Sequence, residues 1–424
     1  GGVIATERRD GFALEHGPES FITDKPWGLD LARRLRLEEQ LVGTRPEHRR
    51  SFVVRNGKLL PVPEGFQILA PSRFGPLVRT PIFSWPGKAR MALDLLLPPR
   101  RDGADESLGG FVLRRLGREA LDRMAQPMIA GIYGADPMEL SLEATLPRFV
   151  EMERMHGSVI RGMWARQRSV AGKATLNGVS GARYGLFVSF REGMQALTDA
   201  LAARIGAERI LLNTPVQALR REGEAWRLQT PAAELETDAL ILALPAYRSA
   251  ALLRPVEPEL AALLESIRYA SAGTLNLCYR REDVPHPLDG FGFVVPRVEG
   301  LTILGCTFSD VKWPGRVPEG YALLRAFLGD AALARHSPGE LEGRAREDLR
   351  RLLGVSAKPR FRLFWKGERC MPQYAVGHLE RVEQIEGRAA ALRGLALAGN
   401  AFRGVGIPDC IRSAEAAAER ALAC

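Results

Sequence analysis

Apolar and polar residues alternate from the start of the chain. Val3-Ile4-Ala5-Thr6, a turn at Arg9-Asp10-Gly11 and then Phe12-Ala13-Leu14-Glu15 predict a β-hairpin. It runs into His16-Gly17-Pro18-Glu19-Ser20, a Gly-Pro turn with exposed backbone. Leu29, Ala32, Leu35 and Leu41 then recur at helical spacing, which predicts an amphipathic helix over 26–41. Residues 51–55 and 58–59 flank Asn56-Gly57 and predict a second hairpin. Proline is frequent over 60–100, and a helical section runs over 107–154. The polar, glycine-rich stretch 166–184 reads as a mobile connector.

The second half alternates helices with strands. A helix over 193–205 precedes strands at 210–212, 216–221, 226–229 and 239–244. Helical residues at 257–267 lead to strands at 274–279, 292–295, 301–308 and 321–327. Helices at 338–353 and 379–391 follow, then a strand at 395–398, a glycine-rich loop and a helix over 409–422. This alternation predicts the α/β class, and no internal repeat is visible.

Size and composition narrow the field. A chain of 424 residues has room for two or three units, and its 46% apolar and 26% charged residues exclude a disordered chain or a disulfide scaffold. The 5 cysteines are widely spaced with no C-x-x-C pair, which fits a reducing cytoplasm. The 6 histidines lack metal-ligand spacing and no G-x-S-x-G is present, so neither a metal centre nor an activated serine is expected. No stretch approaches the ~20 apolar residues of a membrane span, and no leader pattern opens the chain. The expectation is a soluble cytoplasmic protein, at most peripheral on the cytoplasmic face of a membrane.

The 59 basic against 50 acidic side chains give a net charge of +9, which favours an anionic partner. Arg49, Arg50, Arg55 and Lys58 surround the second hairpin, either as a solvated edge or as a carboxylate-binding rim. Nucleic acid is not expected there, because only Phe52 would be available for stacking. Ala171-Gly172-Lys173-Ala174 lacks the spacing of a phosphate loop, with Gln167 and Ala174 where Gly and Ser or Thr belong. Near the C-terminus, strand, Gly404-Val405-Gly406 loop and helix form the geometry that presents backbone N–H groups to an anion. The same spacing serves an ordinary strand-to-helix connection. With no acid, base or nucleophile cluster in view, the chemistry is left to a cofactor.

Several segments together resemble the protoporphyrinogen oxidase and coproporphyrinogen III oxidase family of flavoproteins, within the flavin amine oxidase superfamily. They are Gly1-Gly2-Val3-Ile4-Ala5-Thr6 with Glu15-His16-Gly17-Pro18-Glu19-Ser20, and Gln126-Pro127-Met128-Ile129-Ala130-Gly131-Ile132-Tyr133-Gly134-Ala135-Asp136-Pro137 running on to Leu140-Ser141. Trp365 to His378, containing Met371-Pro372-Gln373-Tyr374-Ala375-Val376-Gly377-His378, is a third, and Gly399-Asn400 with Gly404-Val405-Gly406-Ile407-Pro408-Asp409-Cys410-Ile411 a fourth. Phe190-Arg191-Glu192-Gly193-Met194-Gln195-Ala196-Leu197 matches the superfamily's helix entry. The Tyr133 and His378 segments separate this family from generic amine oxidases and phytoene desaturases.

The resemblance implies an α/β fold: a Rossmann-like FAD-binding domain, a mixed-sheet substrate domain and a helical insertion. Family members begin with a strand, a G-x-G-x-x-G turn, a helix and a second strand. That N-terminal βαβ is expected to be missing here, the chain opening just beyond it. The FAD-binding domain is expected at 1–45, 185–247 and 385–424, and the substrate domain at 46–60 and 248–384. The helical insertion at 61–184 carries Phe83, Trp85, Leu95, Leu96 and Leu97 with Arg100 and Arg101, either as a membrane-facing surface or as helices packed on their own core.

The implied reaction is oxidation of a porphyrinogen to the porphyrin in bacterial haem biosynthesis, with FAD as cofactor and molecular oxygen reoxidising it to release hydrogen peroxide. Val3, Gly17, Pro18, Glu19 and Ser20 are implied to touch the flavin, with Val216 on the adenine side and Asn400, Val405, Gly406 and Ile407 near the isoalloxazine. Gly131, Tyr133 and Gly134 are the implied substrate-facing turn, with Val294 and Phe308 as apolar walls. No catalytic base is identified. Ser51, after Arg50, stands where some relatives place an arginine for a substrate propionate, and this resembles the bacterial type that accepts coproporphyrinogen III. The choice between that substrate and protoporphyrinogen IX stays open, as do a homodimer and peripheral membrane contact. The rival readings are a flavin amine oxidase or desaturase and a non-catalytic porphyrin-binding protein.

Overall fold

The structure is a computed structural model that describes residues 2–170 and 187–423. Its centre is a seven-stranded sheet in the order Phe361–Pro372, Tyr269–Arg280, Tyr321–Gly329, Gly305–Phe308, Gly292–Val294, Phe52–Arg55, Lys58–Pro61. Gly292–Val294 runs parallel to Phe52–Arg55 and the other pairs are antiparallel, so the sheet is mixed. Asn56 and Gly57 both take positive φ, the conformation a tight hairpin turn between right-twisted strands requires.

Side chains alternate between the two faces of a strand, and here the faces differ in chemistry. One face carries Leu275, Leu277, Phe293, Phe308, Leu324 and Ala326 against Leu341, Ala345 and Leu349 of the helix Pro338–Leu353. The register places Asn276 and Thr307 beside Arg325, and Val294 beside Gly305, on the other face. Thr274, Asn276, Thr307 and Arg325 are all buried. A buried polar row of this kind is stable only where each group finds a partner.

Residues 62–163 pack around Phe66, Leu77, Phe83, Phe111, Met124 and Phe149, and this core also takes in Val53 and Val294 of the sheet. Within it the buried Arg115 donates to Asp94 at 2.5 Å and to the Gly157 carbonyl at 2.9 Å, tying its helices together. A third core surrounds the parallel pair Leu240–Leu242 and Leu395–Leu397.

Several expectations change. Residues 248–267, expected with the sheet, pack into that third core, because Ala250, Leu253, Leu260 and Leu264 bury with Leu242, Val382 and Leu395. The divisions expected at 247/248 and 384/385 fall inside the helices Ala246–Leu253 and His378–Ala390. The helix expected over 26–41 spans only Trp27–Arg34, since Arg36 takes positive φ and Leu41–Gly43 pairs as a strand with Phe187–Phe190. No strand forms at 210–212, where Leu211 and Leu212 are exposed. Phe361–Pro372 is a strand that the periodicity does not announce, most of its residues being exposed or only partly buried. The connector expected over 166–184 starts as the end of the helix Val159–Val170, and its residues 171–184, with the rejected phosphate loop, lie outside the described residues. Among the described residues no helix is long and apolar enough to cross a membrane.

Candidate active site

The first hairpin, Thr6–Arg9 with Phe12–Glu15, delivers the turn at residues 15–20 onto the polar row of the sheet. Asn276 Nδ2 donates to the Glu15 carbonyl at 3.2 Å and Thr274 Oγ1 to the His16 carbonyl at 2.8 Å. Arg325, only 2% exposed, donates to the His16 carbonyl at 3.1 Å, to the Gly17 carbonyl, and to Glu19 Oε2 at 3.2 Å. Val3 lies over this turn so closely that a Cβ on Gly17 would collide with the Val3 carbonyl. Pro18 and Ser20 are half-buried beside it.

Two buried carboxylates anchor the turn. Glu19 pairs with Lys312 and Arg325, and its carbonyl accepts the Ser189 hydroxyl at 2.6 Å. Burial pushes its carboxyl upward, but Lys312 and Arg325 outweigh this and hold it down at about 2. Glu15 accepts from Arg316 Nη1 at 2.5 Å, Thr6 Oγ1 at 2.7 Å and the Met194 backbone N–H at 2.9 Å. Arg316 also donates to Ser189 Oγ at 2.5 Å and to the Phe190 carbonyl at 3.1 Å. Lys312, Arg316 and Arg325 were missed from sequence. Arg325 had a signal, being an arginine inside the apolar run Tyr321–Gly329.

The second piece is the loop from Gly399 to Ile407. Gly399 and Gly404 have positive φ, and a Cβ on Gly404 would collide with Asp409. Asp409 is buried in the first turn of the helix Ile407–Leu422 and binds Lys25 Nζ at 2.6 and 2.7 Å. The Tyr374 hydroxyl donates to the Asn400 carbonyl at 2.7 Å and accepts from Gly404 N–H at 2.8 Å. Val405, Gly406 and Ile407 are half-buried, and Ile407 packs with Ile4, Phe21 and Met194. That contact brings the loop against the segments flanking Val3 and Ser20. Val216 sits apart, half-buried against the Leu219 and Trp226 core.

The third piece is the end of the helix Gln126–Tyr133, which stops where Gly134 turns left-handed. Pro127 lacks an N–H, and the helix enters through a π-turn at Leu121–Ala125. Arg123 then pairs with Glu299, and Gln126 Oε1 accepts the Arg297 N–H at 2.8 Å. Gly131 is exposed, while the Tyr133 carbonyl accepts Gln373 Nε2 at 3.2 Å and the Ser141 N–H donates to the Tyr374 carbonyl at 2.7 Å. Val294 is half-buried on the sheet face of Arg325, toward the helical unit. Phe308 is a correction. One residue out of phase with Thr307, it lies on the opposite face, fully buried against Phe293 and His286, and walls no site shared with Val294.

The basic rim is largely engaged within the protein. Arg50 pairs with Asp289, and Arg55 donates to the Pro81 carbonyl. Of the apolar surface expected on the helical insertion beside Arg100 and Arg101, Phe83 is core, whereas Trp85 is 69% and Leu96 79% exposed. Among the described residues no His, Cys, Asp and Glu group could hold a metal ion.

Around the turn at 15–20, buried Arg316 Nε, Arg325 Nε and His16 Nε2 lack hydrogen-bond partners, which fits a polar group lying against that turn. A family model described as flavin containing amine oxidoreductase matches residues 1–422. The chain belongs to that family. This flavin-containing amine oxidoreductase is an FAD-dependent oxidoreductase, and the unpartnered polar atoms beside the turn fit such a cofactor. It is 33% identical over 429 residues to the coproporphyrinogen III oxidase of Bacillus subtilis (strain 168), covering 100% of this chain and 89% of that protein. The coproporphyrinogen III oxidase of Propionibacterium freudenreichii subsp. freudenreichii is 35% identical over 449 residues, covering 100% of this chain and 84% of that one. A crystal structure from Exiguobacterium sp. 255-15, assigned as a protoporphyrinogen oxidase, superposes with a TM-score of 0.86 at 30% identity, covering 99% of this chain and 90% of its own.

Proposed function

We propose that this chain oxidises a porphyrinogen to the porphyrin in haem biosynthesis, with coproporphyrinogen III preferred over protoporphyrinogen IX and molecular oxygen as the final acceptor, released as hydrogen peroxide. The observation that carries the reading is the joining of the Tyr133 turn to the Asn400–Gly404 loop through Gln373 and Tyr374, in a chain matched along its whole length by coproporphyrinogen III oxidases. FAD supplies the electron acceptor. Val3, Gly17, Pro18, Glu19 and Ser20 would hold it together with Asn400, Val405, Gly406 and Ile407, and Val216 would serve its adenine. Glu19 stays ionised and paired throughout the working pH range, so it shapes the turn and exchanges no proton. Gly131, Tyr133, Gly134 and Val294 face the macrocycle, where flat packing and exclusion of water orient it for oxidation. The helical unit rests peripherally on the cytoplasmic membrane face through Trp85, Leu93 and Leu96.

The test follows flavin absorbance, porphyrin fluorescence and peroxide after anaerobically prepared coproporphyrinogen III or protoporphyrinogen IX meets the FAD-loaded protein. Flavin bleaching without oxygen, then porphyrin and peroxide on its admission, is the expected result, faster with coproporphyrinogen III. Bound flavin with neither substrate oxidised overturns the proposal in favour of an amine oxidase or desaturase. Porphyrin binding without flavin overturns it in favour of a binding protein.

A further inference from the structure

Tyr374 is 1% exposed, and its hydroxyl is satisfied as donor and acceptor by two backbone groups of one loop, the Asn400 carbonyl and the Gly404 N–H. A buried hydroxyl is costly without such partners, and phenylalanine would fill the same volume. The His378 ring stacks on Tyr374 at 4.0 Å with 13° between planes, and its Nε2 lies 2.8 Å from the Phe402 carbonyl. Burial holds the imidazole neutral, its pKa lowered to about 4, so Nε2 carries the proton donated to Phe402. Asn400, Phe402 and Gly404 are thus all gripped by side chains of one short segment.

The same segment grips the substrate-facing turn. Gln373 Nε2 donates to the Tyr133 carbonyl at 3.2 Å, Ser141 N–H to the Tyr374 carbonyl at 2.7 Å, and Val376 N–H to the Glu139 carbonyl at 3.2 Å. Leu140 and Ala375 form a β-bridge. We infer that Gln373, Tyr374 and His378 are positioning residues that couple the substrate-facing turn to the cofactor loop, so that occupancy of one site changes affinity at the other. The inference rests on the placement of FAD and porphyrinogen proposed above. Coupling of this kind is reciprocal and is measured as a ratio of dissociation constants.

The test measures the FAD dissociation constant of the full chain by equilibrium dialysis, with and without saturating coproporphyrin III as the stable stand-in for the porphyrinogen. Wild type is expected to bind FAD about fivefold or more tighter when the porphyrin is present. In Tyr374→Phe that ratio collapses toward one, and FAD binding weakens by about tenfold for the lost loop contacts. Gln373→Ala keeps the Tyr374 hydroxyl bonds and is expected to lose the ratio with little change in FAD affinity alone. Tyr279→Phe removes a hydroxyl from a tyrosine equally buried on the opposite sheet face, and it keeps the wild-type ratio. A wild-type ratio of one, a ratio retained in both Tyr374→Phe and Gln373→Ala, or equal loss in Tyr279→Phe overturns the inference while leaving the functional proposal standing. A wild-type chain that binds FAD but no porphyrin, or no FAD, overturns the functional proposal and the inference with it.

Discussion

Glu19 shows how one side chain is kept where it is by its neighbours. Buried, it would take up a proton or move out, but Lys312 and Arg325 hold it ionised with a carboxyl at about 2 against 4.5 for an unconstrained glutamate. The unfolded chain therefore binds more protons than the folded one between those values, and the pair contributes on the order of 3 kcal/mol above pH 4.5 that fades as pH falls toward 2. Arg325→Met leaves the carboxylate with Lys312 alone and strips donors from the His16 and Gly17 carbonyls. It is expected to cost about 3–5 kcal/mol and to move the acid-unfolding midpoint, followed by circular dichroism, to higher pH. The Gly17-Pro18-Glu19 turn was legible in the sequence because its glycine and proline mark it. Its cations were not, since Lys312, Arg316 and Arg325 lie some three hundred residues away in sequence and nothing local declares whom a buried arginine pairs with.

At the scale of elements, legibility followed local signals. The helix Pro338–Leu353 has Ser337 and Glu340 as a capping box and a left-handed Gly354 at its end, so its limits are written within its own residues. The strand Phe361–Pro372 exists because Tyr269–Arg280 offers it a long partner, and a partially exposed strand has too weak an alternation to be seen alone. Two glycine substitutions separate the roles such residues play. Gly343→Ala, on the open face of that helix, is expected to raise stability by up to about 1 kcal/mol with unchanged FAD affinity. Gly404→Ala meets Asp409, which is held by Lys25, and a left-handed backbone besides. It is expected to lower the melting temperature and, on the FAD placement proposed above, to weaken FAD binding at least about tenfold. Thermal melts and flavin titrations of the two variants check both outcomes.

At the scale of the whole molecule, the chain weaves among its cores, which is why an α/β class with a mixed sheet and a helical unit could be read in advance but not where the helices of 246–265 would pack. Hydrophobic pattern says that a helix has an apolar face, not which of several cores receives it. The helical unit leaves Trp85, Leu93 and Leu96 in solvent at helical spacing, with Lys88 over the Trp85 ring. Sedimentation with anionic vesicles is expected to carry the protein down, and Trp85→Ser with Leu96→Ser to reduce binding about tenfold or more, each lost apolar contact being worth about 1.5–3 kcal/mol. Equal sedimentation of wild type and variant sinks the membrane reading. The hold of Thr274, Asn276, Arg316 and Arg325 on the turn at 15–20 has a consequence for synthesis. Translation releases that turn well before its holders, and the loop at 399–407 later still. A ribosome-stalled fragment ending before residue 316 therefore carries the turn without its Arg316 and Arg325 partners, and the proposed FAD site is incomplete until residues 399–407 have been made.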